Sequence, residues 1–315
     1  MKRGMQMARI GYFGKLAARS DFVKAVDNLA LASLLDDWLA DVMNLLSTDP
    51  RWKLNYDATR PLHFAFVGTR SRCAVAGHLV ASADSSQRRY PFLGMSAIEV
   101  DDPSLFISRC PLIFSPLWDT LEELTREVLA AQQPAAALHT LAGTLIEVLS
   151  ADQPSFGDFL DGYTVAAMEA ILPGVCVRRV ILAIALLLEP VKRATAGRLE
   201  KSLVLPLPSS PQLRYLVAAF WLDLIVPFLR QADYELSLFL TQLPSLVVGF
   251  SGAAPEVLAA IMDPQSATEH QINLNDTGWV DEAMGNAQVQ KLSAYLEQGQ
   301  LSLRSAQALF HETFF

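Results

Sequence analysis

The sequence predicts an α+β protein built from α/β sandwich units, and three observations indicate this class. Short apolar runs separated by turns, of which residues 62–67 and 73–81 are the clearest, have the composition of paired β-strands. The segment Leu29–Leu46 has the apolar period of a helix packed on one side. Hairpins that alternate with helices in this order are typical of antiparallel sheets covered by helices.

Composition limits the classes of function. The chain has 315 residues, a formal net charge of −8 and 51% hydrophobic residues, so it can bury a sizeable core. The acidic balance and the lack of a basic tract argue against nucleic acid and anionic membranes as partners. Cys73, Cys110 and Cys176 are far apart and odd in number, which favours free thiols in a reducing compartment. No apolar stretch of signal-peptide type follows Lys2 and Arg3, so we expect a cytoplasmic protein.

Residues 1–133 are predicted to form a first α/β domain. It comprises an opening strand at 10–13, the helix Leu29–Leu46, strands at 62–67, 73–81 and 90–100, and a helix that starts at Ser115-Pro116, since proline is favoured at the first helical position. Asp21 is predicted to act as a cap or turn acceptor before the first helix. The side chains of that helix predicted to face inward are Leu31, Leu34, Leu35, Trp38, Leu39, Val42, Leu45 and Leu46.

The remaining chain is predicted as a helical segment, residues 134–199, and a second, smaller α/β domain with C-terminal helices, residues 200–315. The polar stretch 192–198 is interpreted as a linker between them. In the last domain we expect a strand at 203–207, paired strands at 235–241 and 245–250, and helices that start at Pro211 and Pro255. The tail, residues 282–315, offers two amphipathic helical pieces.

Searching the sequence for enzyme motifs gives one weak candidate. Gly249-Phe250-Ser251-Gly252 is similar to a nucleophile elbow, but Ala253 stands where the final glycine belongs. A serine hydrolase using Ser251 would need a histidine within hydrogen-bond reach of that hydroxyl. Phosphate-binding glycine loops, dinucleotide fingerprints and metal-ligand clusters are absent from the sequence, so no cofactor or metal is expected. The five histidines are scattered and are interpreted as structural.

Two polar groups of residues remain, and each joins an apolar strand to the next element. An acidic residue and arginines within a short loop can pair and stiffen it, or can present a guanidinium group to a partner. The alternative is a solvated turn whose surface ion pairs contribute roughly 0 to 1 kcal/mol each. The first group consists of Lys15, Arg19 and Asp21, and the second of Ser82, Asp84, Arg88 and Arg89.

These residues stand in ordered blocks that resemble one known family. The phrase GYFGKL at residues 11–16, continued by Arg19 and Asp21-Phe22-Val23, resembles GxxGKLPxRGDF, the opening signature of the TagF family of type VI secretion accessory proteins. Asp36-Asp37-Trp38-Leu39 resembles its D-x-W-L helix, and Trp52 and Tyr56 match its following aromatic residues. The block from Ser82 through Asp84 and Arg88-Arg89 to Tyr90-Pro91 is similar to its PSxDxxGRxFP loop. The resemblance covers about 100 residues of the first domain.

The resemblance implies a regulator, not an enzyme. Proteins of this family restrain type VI secretion after translation, through a forkhead-associated (Fha) scaffold protein, and their first domain is similar to longin-like folds that serve as interaction platforms. Carried over by position, the partner-binding residues are Lys15, Arg19, Asp21, Phe22, Ser82, Asp84, Arg88 and Arg89, and the structural ones are Gly11, Gly14, Trp38 and Pro91. The alternative for this family is a structural assembly component that uses the tail helices.

Four positions depart from the family pattern. Ala17 and Ala81 replace prolines, and Ser20 and Gln87 replace glycines. A glycine in a loop signature marks a positive φ or close approach of a partner. Positions 20 and 87 are therefore where the geometry of the two loops is expected to differ.

Overall fold

The computed structural model describes residues 6–149, 153–193 and 199–315, and it confirms the α+β class. The strands are β1 (Met7–Arg9), β2 (Gly11–Gly14), β3 (Val23–Ala25), β4 (Leu62–Gly68), β5 (Cys73–Val80), β6 (Phe92–Glu99), β7 (Leu145–Glu147), β8 (Ser202–Pro206), β9 (Glu235–Thr241), β10 (Ser245–Gly249) and β11 (Gln271–Asn273). The helices are α1 (Leu29–Leu46), α2 (Trp52–Ala58), α3 (Pro103–Ala130), α4 (Ala135–Gly143), α5 (Pro154–Gly162), α6 (Val165–Ile171), α7 (Val177–Arg193), α8 (Pro211–Ile225), α9 (Pro255–Met262), α10 (Ala267–His270), α11 (Val280–Ala283), α12 (Ala287–Leu296) and α13 (Leu303–Phe314). A 3₁₀ turn, Val226–Leu229, follows α8. Of the predicted linker, residues 194–198 lie outside the described residues.

Nine strands form one sheet in the order β11-β8-β10-β9-β4-β5-β6-β2-β3. All neighbours are antiparallel except β11 and β8, which are parallel. The ladder between β4 and β9 runs from Leu62 opposite Thr241 to Gly68 opposite Glu235. Strands from both predicted α/β domains therefore belong to one continuous sheet, while the domain borders at residues 133 and 199 stay a prediction.

Side chains of the central strands alternate between two apolar layers. On β4, Phe64 packs in one cluster with Trp38 of α1, whereas Ala65 packs in the other cluster with Trp118 of α3. On β9, Phe239 faces the first layer. This period of two is what a strand buried on both faces requires. The sheet is thus covered by α1 and α9 on one side and by α3 and α8 on the other.

The helix α8 lies at the centre of the second layer. By length and composition alone, Pro211–Leu229 could cross a membrane, but 67% of its apolar window is buried inside this protein. Its Trp221 is fully buried and donates from Nε1 to the backbone oxygen of Pro206, 2.9 Å away. These contacts describe the central helix of a globular core.

The helix α3 begins earlier than predicted. We expected a start at Ser115-Pro116, yet the helix runs from Pro103, and Pro111 and Pro116 lie inside it. The Oδ1 atom of Asp102 caps its first turn by accepting from the Leu105 N–H at 3.2 Å. An internal proline removes one helical hydrogen bond, and here the burial of the helix against β5 and α8 outweighs that loss.

Four short strands, β1, β3, β7 and β11, were missed, and the capping assignment of Asp21 was wrong. Residues 145–147, in the segment predicted to be helical, form β7, which pairs with β1. The strand β3 follows Phe22 directly and pairs with β2. Asp21 therefore does not cap α1; Asn28 does, its Oδ1 atom accepting from the Leu31 N–H at 3.0 Å. Three-residue strands are too short for an apolar period to reveal.

The inward face of α1 is narrower than its sequence indicates. Leu35, Trp38 and Leu39 are buried, as predicted. Leu34 is 67% exposed and Leu45 is 37% exposed, contrary to the prediction that they face inward. A helix that rests on a sheet buries only one strip of its surface, and leucines at the borders of a broad apolar stripe stay outside it.

Two histidines interpreted as scattered meet inside the sheet. His63 of β4 stands opposite His78 of β5, and their Nδ1 atoms are 3.0 Å apart. The Nε2 atom of His63 also lies 3.5 Å from Oε2 of Glu122. Burial lowers the pKa of His78 to about 4 and holds the pKa of His63 well below its usual value. Both rings are therefore neutral near pH 7, and the two rings share a hydrogen bond.

Acid is expected to destabilise the protein through this pair. Between pH 7 and pH 5, His78 becomes protonated in the unfolded chain but stays neutral in the folded protein. The free energy of unfolding should therefore fall by about 2 kcal/mol over this range from His78 alone. The measurement is urea denaturation across that pH range. His78→Gln should flatten the dependence, while His139→Gln, at an exposed position, should leave it unchanged. Equal pH dependence in His78→Gln and the unaltered protein would contradict this assignment.

Candidate functional site

The two signature loops come together at one end of the sheet. The first, residues 15–22, joins β2 to β3, and the second, residues 81–91, joins β5 to β6; we call them the motif loops. They meet because β2 pairs with both β3 and β6 at Gly14, which lies opposite Val23 and Phe92. The Ser85 N–H donates to the Arg19 oxygen at 2.8 Å, so the loops are also bonded to each other. The two polar groups of the sequence are therefore one cluster.

Gly14 allows this close approach. It has φ +136°, and a Cβ atom built there would lie 2.2 Å from the backbone oxygen of Pro91. No side chain fits in that space. The signature positions Gly14 and Pro91 are thus in backbone contact at the point where the loops leave the sheet.

Asp84 is the centre of the cluster and has no exposed side-chain surface. Its Oδ1 atom accepts from the N–H groups of Ser86 at 2.9 Å and Arg88 at 3.0 Å. Its Oδ2 atom accepts from Nε of Arg88 at 2.7 Å and lies 3.1 Å from Nζ of Lys15. Burial by itself raises the pKa of Asp84, but the bonds from Arg88, Lys15 and Ser86 hold it well below its usual range. The carboxylate stays charged and orders both loops.

Lys15 connects this carboxylate to an aromatic cluster. The lysine is buried, and its Nζ atom lies 5.1 Å from the centre of the Phe22 ring. Phe22 stacks on Phe13 at 5.5 Å with 5° between the planes and meets Tyr90 edge-on at 5.0 Å. Even so, Phe22 remains 46% exposed. A large aromatic side chain held rigidly at the surface is the kind of group that anchors protein interfaces.

The polar groups that face solvent beside Phe22 come from both loops. The side chain of Arg88 is 62% exposed although it donates from Nη2 to the Ser20 oxygen at 2.8 Å. Arg19 and Asp21 are exposed. Ser82 points inward, its hydroxyl donating to the Lys15 oxygen at 2.8 Å. Of the eight predicted partner-binding residues, Phe22, Arg19, Asp21 and Arg88 therefore share one surface, while Lys15, Ser82 and Asp84 support it from below.

Arg89 belongs to a different contact. Its guanidinium binds both carboxylate oxygens of Asp57 on α2, at 2.7 and 2.6 Å, and lies 6.0 Å from the Trp52 ring. The hydrogen bonds from Arg89 lower the pKa of Asp57. On the same helix, the Tyr56 hydroxyl donates to the oxygen of Ser82 and accepts from its N–H, both at 2.9 Å. Sequence reasoning missed Tyr56 and Asp57 as supports; the only signal for them was the aromatic pair after the first helix.

One of the two replaced glycine positions has the predicted backbone. Gln87 has φ +61°, and it is the one residue other than glycine with a positive φ in the described part of the chain. Ser20 does not have a positive φ. The turn at 84–88 thus keeps the conformation that a glycine would favour, at the cost of placing a Cβ atom in the left-handed region.

Chemistry other than binding finds little support in the geometry. Among the described residues, no histidine forms a hydrogen bond with Ser251, so the condition set for a serine hydrolase is not met there. No group of three or more His, Cys, Asp or Glu side chains in that part of the chain could hold a metal ion. The motif loops instead offer a rigid surface with one aromatic and three charged side chains.

Gln87→Gly is expected to stabilise the protein. Glycine relieves the left-handed strain at position 87 but gains freedom in the unfolded chain, so the free energy of unfolding should rise by about 0.5 to 1 kcal/mol. Chemical denaturation measures the difference. Ser86→Gly, one residue away and without a positive φ, is the matched control and should lower stability. A decrease in Gln87→Gly would show that the conformation at position 87 costs nothing.

Asp84→Asn is expected to loosen the motif loops. The change leaves Lys15 buried without its counter-charge, which destabilises a protein far more than loss of an exposed pair. The melting temperature should drop by several degrees, and amide hydrogen exchange at 84–88 should speed up. Asp57→Asn, which breaks the more exposed pair with Arg89, should have a smaller effect. Equal effects of the two changes would contradict the central role of Asp84.

Comparison with known proteins matches the part of the chain that holds these loops. Residues 11–145 match the family model described as the TagF N-terminal domain, type VI secretion system-associated. No curated protein matches the sequence. Among solved structures, the chain is similar to the protein PA0076 from Pseudomonas aeruginosa PAO1, with 23% identity and a TM-score of 0.36. That alignment covers 42% of this chain and 61% of PA0076, less than two thirds of its length.

The matched region begins at Gly11, the first residue of β2, and ends in β7. It therefore contains both loops, the helices α1 and α2, and the four strands that hold them. The N-terminal part of the chain, residues 11–145, therefore matches the TagF domain of proteins associated with type VI secretion.

Proposed function

We propose that this protein restrains type VI secretion after translation, by binding another protein of the secretion system through the surface of the motif loops. The match of residues 11–145 to the TagF N-terminal domain supports the setting in type VI secretion. The observation that carries the mode of action is the Asp84 network, in which buried charges satisfy one another and hold Phe22 rigid and half exposed. An interface anchor of this kind loses little conformational freedom on binding.

The proposed partner is the forkhead-associated scaffold protein that the family resemblance implies. Arg19 and Arg88 beside Phe22 offer guanidinium groups, which suit carboxylate or phosphate groups of a partner. Phe22 provides the apolar anchor, and the charged side chains around it provide specificity. Binding to an apparatus component places the protein in the cytoplasm, where its thiols stay reduced.

The alternative role as an assembly component that uses the tail helices finds less support. Phe310 of α13 is fully buried and meets Phe228 edge-on at 5.9 Å, and Nζ of Lys192 donates to the Phe314 oxygen at 2.6 Å. The tail is therefore part of the core. A helix packed in this way is not available to bind another protein through its apolar face.

A deletion strain tests the regulatory proposal. Loss of the gene should raise effector secretion without changing transcript levels of the secretion genes, because the restraint acts after translation. Quantitative immunoblots of culture supernatant and transcript counts measure both. Unchanged secretion in the deletion strain would overturn the proposal. Raised transcript levels would also contradict it, because they would show that the protein acts on gene expression.

Complementation with surface variants tests the contact. Phe22→Ser combined with Arg88→Ala should lower capture of the scaffold from native cells by at least about tenfold, since interface anchors cost more than 1 kcal/mol when removed. Secretion should rise to the level of the deletion strain. Tyr295→Ala, at a 38% exposed aromatic on α12, is the matched control and should bind and restrain normally. Undiminished capture by the double variant would contradict the assigned surface.

A further inference from the structure

The outer surface of α1 carries a line of exposed leucines and aspartates, which lies outside the motif loops. It consists of Leu34, Asp37, Asp41 and Leu45, and we call it the α1 strip. Their positions, three, seven and eleven residues after Leu34, place all four side chains on one side of the helix. Leu34 is 67% exposed, Leu45 is 37% exposed, and both aspartates are exposed. At a rise of 1.5 Å per residue, the two leucines stand about 16 Å apart along the helix axis.

No positive charge within α1 balances the carboxylates of the strip. The helix, LALASLLDDWLADVMNLL, contains three aspartates and no lysine, arginine or histidine. Asp36 accepts a hydrogen bond from the Tyr90 hydroxyl, whereas Asp37 and Asp41 form no hydrogen bond or ion pair with any described residue. Two carboxylates four positions apart on a helix repel each other and destabilise it. The free protein therefore keeps an arrangement of charge that a positively charged partner would relieve.

The order of side chains along the strip indicates the shape and the charge of that partner. Leu34 and Leu45 stand at the two ends, and the unpaired aspartates stand between them. The spacing follows the helix axis, which is the direction along which a second helix packs on the first. Nucleic acid and anionic lipid would be repelled by the carboxylates. The strip therefore suits a helix with apolar side chains at its ends and positive charges between them.

We propose that the α1 strip docks a basic amphipathic helix of a partner protein. Apolar side chains of that helix pack against Leu34 and Leu45, and its lysines or arginines pair with Asp37 and Asp41. Apolar contact gives the affinity, and the complementary charges set the specificity and speed the encounter. None of the four residues belongs to the motif loops. Failure of this proposal therefore leaves the function proposed above untouched.

A synthetic peptide tests the proposal. The probe is an alanine-rich helical peptide of about 20 residues, with two leucines eleven positions apart and lysines three, four, seven and eight positions after the first leucine. Fluorescence anisotropy with the full chain should show saturable binding of one peptide per chain, weaker at high salt because the charges are screened. The control peptide has glutamate at the four lysine positions and should not bind. Absence of saturable binding by the lysine peptide, or equal binding by the glutamate peptide, would overturn the proposal.

Variants of the strip separate recognition from folding. Asp37→Asn combined with Asp41→Asn removes the repulsion, so the free protein should melt at the same or a higher temperature while the lysine peptide binds at least about tenfold more weakly. Leu34→Gln should weaken binding by at least about fivefold, since it removes an apolar contact. Glu123→Gln combined with Glu127→Gln, at exposed positions four apart on α3, is the matched control and should bind normally. Full affinity in the double aspartate variant would overturn the assignment.

Discussion

The pairing of β4 with β9 is the contact on which the architecture depends. It joins residues 62–68 to residues 235–241, far apart in the chain, along seven consecutive pairs. Because β4 and β9 are central, their side chains are buried on both faces, and each face needs its own layer of helices. Helices from both parts of the chain therefore share a layer: α1 packs beside α9, and α3 packs beside α8. Neither layer is complete without residues from beyond position 200.

The motif loops are held together by contacts to a buried carboxylate. A buried carboxylate is costly unless donors surround it, and Asp84 has four contacts from three residues. The same contacts neutralise the charge of buried Lys15, so the charge that the network presents to solvent is the exposed guanidinium of Arg88. The network also fixes the positions of the two loops, because they cannot separate without leaving a charged side chain unpaired. The exposed side chains of these loops, Phe22 above all, are therefore also held in place.

Much of the sheet could be predicted from the sequence, because strands such as β4, β5 and β9 carry an apolar period long enough to read. The short strands β1, β3 and β7 could not, since three residues hold no period and their pairing is set by distant partners. The two groups of polar residues could be picked out in the sequence, and their role in binding a partner stays a prediction. Gln87 was correctly marked as a place for a positive φ. The two groups form one cluster, and Arg89 lies apart from it, because of the register of β2 against β6. No local sequence pattern encodes that register.

The short helix α2 lies between the motif loops and a groove bordered by α9, the β9–β10 turn and β11. On one side, Tyr56 holds the backbone of Ser82 and Asp57 holds Arg89, so α2 supports the second motif loop. On the other side, Asn55, Ala58 and Thr59 border the groove. A helix of seven residues thus has side chains at both places. A ligand in the groove that bound one position of α2 more tightly than another would also bias the loop, and the loop's partner would bias the ligand by an equal free energy. A ligand indifferent to the position of α2 would couple nothing, however tightly it bound.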